Sequence, residues 1–162
     1  MGNLEAYFLA GLRPIFVEAR RSLTTLMEWL QHSTKAGYKL GMYVYALVLY
    51  RPNTGGGNDD IAWCLLRELK GADEVGLATL SWKNQTFPQF YQDMYWRLQN
   101  IVPHDVVPIL HPVLRQAKHH QCTSGGCGDP IGFEVWVLWS RFCSEECRIL
   151  GECYKLFTSV LD

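Results

Sequence analysis

The chain has 162 residues, of which 48% are hydrophobic and 19% charged, and its formal net charge is −1. That apolar share is enough for a core in one domain and excludes a disordered tail. The near-neutral balance removes any global electrostatic drive toward nucleic acid or an anionic membrane.

Residues 3–11 read as a short helix. Pro14 suits the first position of a longer one, and Ile15, Phe16, Ala19, Leu23, Leu26, Met27 and Leu30 recur after it at helical spacing. That helix is expected to end near His32 and Gly37. Residues 38–50, a dense run of aromatic and aliphatic side chains without a helix cap, read as a strand buried on both faces. Arg51-Pro52 stops it, and Asn53 to Asn58, with three glycines, reads as a loop.

Asn58 or Asp59 can cap a helix over about 60–70, with Ile61, Cys64, Leu65 and Leu66 facing inward and Gly71 ending it. Residues 75–82 read as a second strand, so strand, helix and strand imply a right-handed parallel crossover. A nearly all-round apolar helix follows from Thr86 to about Asn100, then a proline-interrupted helix over 105–118. Residues 133–139 are β-branched and aromatic and read as a third strand. Ser144 is a good N-cap for a last helix over 144–160, with Glu145 and Glu146 in its first turn. The expected fold is a single α+β domain over 1–162, a sheet of about three strands covered by helices.

Five of the six cysteines fall between His119 and Cys153. Cys122 and Cys127 flank a Thr-Ser-Gly-Gly turn, and Cys143 and Cys147 are four apart, on one side of a nascent helix. Four thiolates converging in this way make a closed structural zinc geometry. The expected ligands of the module over 119–153 are Cys122, Cys127, Cys143 and Cys147, with His120 as the substitute should Cys127 point away. Cys153 is expected to pack inside its helix, and Cys64 to be a core residue. Disulfides and unrelated core thiols are the competing readings; no signal-peptide pattern is present, and Cys64 would be left over.

The run Arg141-Phe142-Cys143-Ser144-Glu145-Glu146-Cys147-Arg148 resembles the second half of FCS-like and MYND-type zinc fingers. Cys122 and Cys127 stand where such fingers place their first pair, although four residues separate them instead of two. The resemblance covers residues 122–148 and implies a treble-clef-like module that serves protein–protein contact. Separately, Ser22-Leu23-Thr24-Thr25-Leu26 resembles the Ser-Leu-x-x-Leu helices with which ubiquitin-ligase adaptors, viral ones included, dock a core ligase subunit. Met27 stands where those helices carry a small residue.

The signatures of catalysis are absent. No His-x-Glu accompanies the cysteines, as a zinc deaminase requires. No phosphate-binding glycine loop or Gly-x-Ser-x-Gly elbow occurs. The expectation is a non-enzymatic, zinc-stabilised interaction protein, an adaptor or accessory factor of a kind that also redirects host machinery. It would recruit a protein partner through Trp136, Trp139, Leu23 and Leu26. The alternative is an RNA- or other nucleic-acid-binding regulator, such as a silencing suppressor, using Arg115, Lys118 and Arg141. A cysteine- or zinc-dependent enzyme comes third. The start Met-Gly-Asn-Leu-Glu-Ala lacks the Ser or Thr at position 6 that myristoylation favours. The longest apolar stretch, around 40–50, is too short to span a bilayer. Cytoplasmic or nuclear residence, without membrane association, is the expectation.

Overall fold

Helix ends and close backbone approaches set the architecture. The computed structural model describes residues 3–16, 23–50, 56–70, 90, 92–94, 96–97, 100, 122, 125, 127 and 143–158. Helix α1 spans Leu4–Phe16. Asn3 caps it, its side-chain oxygen accepting the backbone N–H groups of Glu5 (3.1 Å) and Ala6 (3.4 Å). Helix α2 spans Leu23–Lys35. The stretch expected to form one helix from Pro14 to about residue 32 is therefore divided between two. Pro14 sits in the last turn of α1, not the first turn of a longer helix. The apolar spacing is satisfied all the same, because Ile15 on α1 and Leu30 on α2 are both fully buried. The two helices meet at Gly11, where a Cβ would come within 2.9 Å of Leu30 Cδ2.

The end of α2 is a Schellman turn. Gly37 adopts φ of 82°, its N–H donates to the Thr34 carbonyl at 2.9 Å, and the Tyr38 N–H donates to the Ser33 carbonyl at 3.0 Å. Only glycine takes that conformation without strain. The turn sends the chain directly into α3, Lys39–Tyr50.

Helix α3 is the main correction to the sequence reading. Residues 38–50 are not a strand: Leu40 to Tyr50 form a helix buried at every position. A helix apolar on all faces is a core helix, and periodicity cannot tell such a run from a strand buried on both faces. Burial of every side chain overrides the β preference of Tyr and Val. With the first strand gone, the parallel crossover and the α+β sheet fall as well. Among the described residues there is no strand at all. The strands expected over 75–82 and 133–139, and the helix over 105–118, lie outside them.

Helix α4 spans Gly56–Lys70, so Gly56, Gly57 and Asn58 belong to its first turn, not to the expected loop. Its inward face is Ala62 and Leu66, both fully buried. Ile61 and Cys64, expected to face the core, lie on the other side: Ile61 is 48% exposed and Cys64 is exposed. The register is fixed by Ala62, Leu66 and half-buried Leu69 meeting α3, which leaves 61, 64 and 68 outward. Residues 90, 92–94, 96, 97 and 100 are helical; Phe90 stacks on Tyr43 at 5.6 Å, and Arg97 pairs with Glu5. Helix α5 spans Glu145–Thr158 and packs on α3. Among the described residues, no helix is long and apolar enough to cross a membrane.

Among the described glycines, Gly41, at the seam between α2 and α3, has the least room for a side chain. A Cβ at Gly41 would collide with Ser33 Oγ and lie 3.0 Å from Ser33 Cβ, whereas one at Gly56 meets nothing within 4 Å. Gly41→Ala is expected to lower unfolding stability by about 1–3 kcal/mol through overpacking. Gly56→Ala should leave stability unchanged or slightly raised. Thermal or urea unfolding of the two variants makes the comparison.

Candidate metal centre

The start of α5 builds half of the site. Ser144 is its N-cap: the Ser144 Oγ accepts the Cys147 N–H at 3.1 Å, and the Ser144 carbonyl accepts the Arg148 N–H at 3.1 Å. Capping fixes the first turn, so Cys143, just before the cap, and Cys147, within the turn, point the same way, with their sulfurs 3.3 Å apart. Cys122 and Cys127 supply the other half, with Gly125 and Cys127 in a turn. The Cys122 sulfur lies 3.2 Å from that of Cys143, and the Cys127 sulfur 3.5 Å from it. The Cys143 backbone N–H donates to the Cys127 sulfur at 3.3 Å, a contact that favours a thiolate there.

All four sulfurs lie within 4.8 Å of one another. A tetrahedral ion with metal–sulfur bonds of about 2.3 Å sets sulfur–sulfur edges near 3.8 Å, so the cluster surrounds a volume sized for one ion. None of the six cysteines is in a disulfide. The four expected ligands are thus brought together, and the set can hold a metal ion. His119 and His120 lie outside the described residues, as do Trp136, Trp139, Arg115, Lys118 and Arg141. Leu23 and Leu26 lie on α2, at positions whose side chains are not among those described.

Without a cation the cluster is electrostatically awkward. Desolvation, with the neighbouring sulfurs, pushes the Cys127 thiol up to about 12. Desolvation also raises Cys147 above its ordinary 9, against the Ser144 hydrogen bond, which lowers it. A metal ion inverts this balance, since a coordinating thiol is deprotonated outright.

The site is joined to the core through α5. Ile149, Cys153, Leu156 and Phe157 are buried along one face. Cys153 packs there as expected, its sulfur 3.7 Å from the Leu47 carbonyl of α3. Glu152 shares this apolar stripe, only 2% exposed, and accepts the Tyr43 hydroxyl at 2.7 Å. This pair was missed by the sequence reading. The signal was there: Glu152 falls three residues after Ile149 and four before Leu156, at a core position of an amphipathic helix. Arg148 is buried and paired with Glu145 at 2.9 Å. Tyr50, at the end of α3, has its phenol raised by burial first, then by Glu146, Cys153, Asp59 and Cys147. The metal-binding end of α5 is therefore within electrostatic reach of the central helix.

Comparison with protein-family models, with curated proteins and with solved structures finds no match for this chain.

Two outcomes follow from this geometry. Tyr43→Phe removes a donor from a buried carboxylate and is expected to destabilise the protein by about 1–3 kcal/mol. With Glu152→Leu added, the loss should be smaller than the sum of the two single changes, as measured by a double-mutant cycle. The thiols give a pH dependence. In the metal-free protein Cys127 and Cys147 carry raised values, so the penalty for ionising them is absent below pH 9 and grows between 9 and about 12. The chelated protein should lose thermal stability across that window. Metal loading runs in the opposite sense and is lost on acidification, because the ligands must be deprotonated. Unfolding scans of the chelated and loaded protein at stepped pH check both.

Proposed function

We propose that Cys122, Cys127, Cys143 and Cys147 hold one zinc ion in a purely structural site, and that the protein is a non-enzymatic interaction module recruiting a protein partner. The observation that carries this reading is the closed set of four sulfurs within 4.8 Å of one another. Sulfur-only tetrahedral sets select zinc or iron among biological metals, and a volume for one ion favours zinc over an iron–sulfur cluster. A catalytic zinc keeps one position open for water or substrate; four thiolates fill every position. The zinc then has the work of a clip, tying the 122–127 turn to the first turn of α5. A surface held by such a clip suits partner recognition, the role implied by the resemblance of 122–148 to FCS-like and MYND-type fingers. Tyr154, 55% exposed, lies on α5, the helix that such a clip would hold. Aromatic side chains are the anchors that protein interfaces favour.

Native mass spectrometry with and without chelator tests the metal, and affinity capture with the intact protein tests the partner. One zinc per chain is expected, lost with chelator. Cys143→Ser and Cys147→Ser should each abolish zinc retention and melt α5, because binding free energy at a structural site is folding free energy. Cys64→Ser should keep the metal, since Cys64 lies exposed on α4 away from the cluster. A chain that stays fully folded and metal-free in reducing buffer would defeat the reading. Capture of RNA in place of protein, weakening steeply with salt, would shift it to the nucleic-acid alternative.

A further inference from the structure

The sulfur cluster has an asymmetry that a purely structural clip does not require. Cys143 is the exposed member, while Cys122, Cys127 and Cys147 are half-buried. The Cys143 sulfur also lies 3.2 Å from that of Cys122, 3.3 Å from that of Cys147 and 3.5 Å from that of Cys127. We infer that Cys143 is a site of reversible oxidation by hydroperoxides, resolved by Cys122 into a disulfide that expels the metal. The inference rests on the four-cysteine metal reading and adds a mode of regulation to it.

The chemistry balances in two steps. The Cys143 thiolate attacks one oxygen of hydrogen peroxide; the O–O bond breaks, Cys143 becomes a sulfenic acid and hydroxide leaves. The Cys122 thiolate then attacks the Cys143 sulfur; an S–S bond forms, the S–O bond breaks and a second hydroxide leaves. Two thiolates have lost two electrons, and one peroxide has become two hydroxides. Two cysteines remain, too few to hold a structural zinc.

Cys122 is the resolving partner on geometry. It is the nearest sulfur, and it lies across the site, not within the same helical turn. Cys147 is held by the Ser144 cap at its own N–H, and Cys127 by the hydrogen bond from the Cys143 N–H. A Cys143–Cys147 bond would close within the first turn of α5, and a Cys143–Cys127 bond would use the sulfur that accepts the Cys143 N–H. A Cys122–Cys143 bond keeps both contacts, so the oxidised chain remains poised to take the metal back on reduction. Cys64, though exposed, has no cysteine partner among the described residues within the cluster, and Cys153 is buried in the α3–α5 seam.

The test uses the full chain loaded with zinc in reducing buffer, freed of reductant and titrated with hydrogen peroxide. Free zinc is followed with a chromogenic chelator, and disulfides are mapped by alkylation and peptide mass spectrometry. The expected result is stoichiometric zinc release with a Cys122–Cys143 cross-link, reversed by dithiothreitol and fresh zinc. In Cys122→Ser, a sulfenic-acid probe should label Cys143, and no cross-link to position 122 should form; if that variant does not fold, the map of the unaltered chain decides alone. Zinc retained while Cys64 oxidises, a different cross-linked pair, or Cys143 passing to the sulfinic acid without a bridge would each overturn the assignment. A chain that takes up no zinc when reduced defeats the metal reading instead, and the disulfide map of that metal-free chain still decides this one.

Discussion

Three thiols packed around that of Cys143 make the constraint on which the rest of the structure turns. Sulfur atoms 3.2 to 3.5 Å apart gain little from one another, and desolvation makes ionising Cys127 and Cys147 harder. A cation reverses each of these terms together: it replaces thiol crowding with metal–sulfur bonds and draws the protons off. Such an arrangement can hold a metal ion. Residues 16 and 21 apart in sequence are brought to a point, and the stretch between them is closed off without a disulfide.

What that closure braces is α5, and through α5 the central helix. Ser144 caps the turn that carries Cys147, so the cap and an ion held by the four sulfurs would fix the same few residues. Two contacts then tie α5 to α3: Tyr43 to Glu152, and the Cys153 sulfur to the Leu47 carbonyl. Ile149, Leu156 and Phe157 fill the space around them. A buried carboxylate is costly unless its oxygens are hydrogen-bonded, so the Tyr43–Glu152 pair acts as a register device as much as a source of stability. Loss of an ion from the cluster would loosen the helix that carries Glu152 and Cys153.

The metal site was legible in the sequence to a degree that the fold was not. Cys143-Ser144-Glu145-Glu146-Cys147 announces its cap, its dipole-matched carboxylates and its ligand spacing within five residues, and each of these is a local rule. The helix end at Gly37 was readable for the same reason. The run from Tyr38 to Tyr50 was not, because a helix buried on every side has no polar face to betray its period, and its tyrosines and valines favour strands. The α+β expectation began with that segment; the other strands expected, over 75–82 and 133–139, lie outside the described residues. Pro14 misled in a similar way: its preference for a first turn is real, yet its φ fits a last turn equally well. Cys64 and Ile61 were turned inward by composition alone, whereas the register of α4 follows Ala62 and Leu66. Glu152 was overlooked because a charged residue in an apolar stripe reads as surface until its partner, on a helix more than a hundred residues earlier, is known.

The most direct measurement of the central claim is X-ray absorption at the zinc edge on the reduced, zinc-loaded protein. Four sulfur scatterers at about 2.3 Å are the result this account predicts. A shell containing nitrogen or oxygen in place of any of the four sulfurs, or a reduced chain that leaves the zinc in solution, would contradict it.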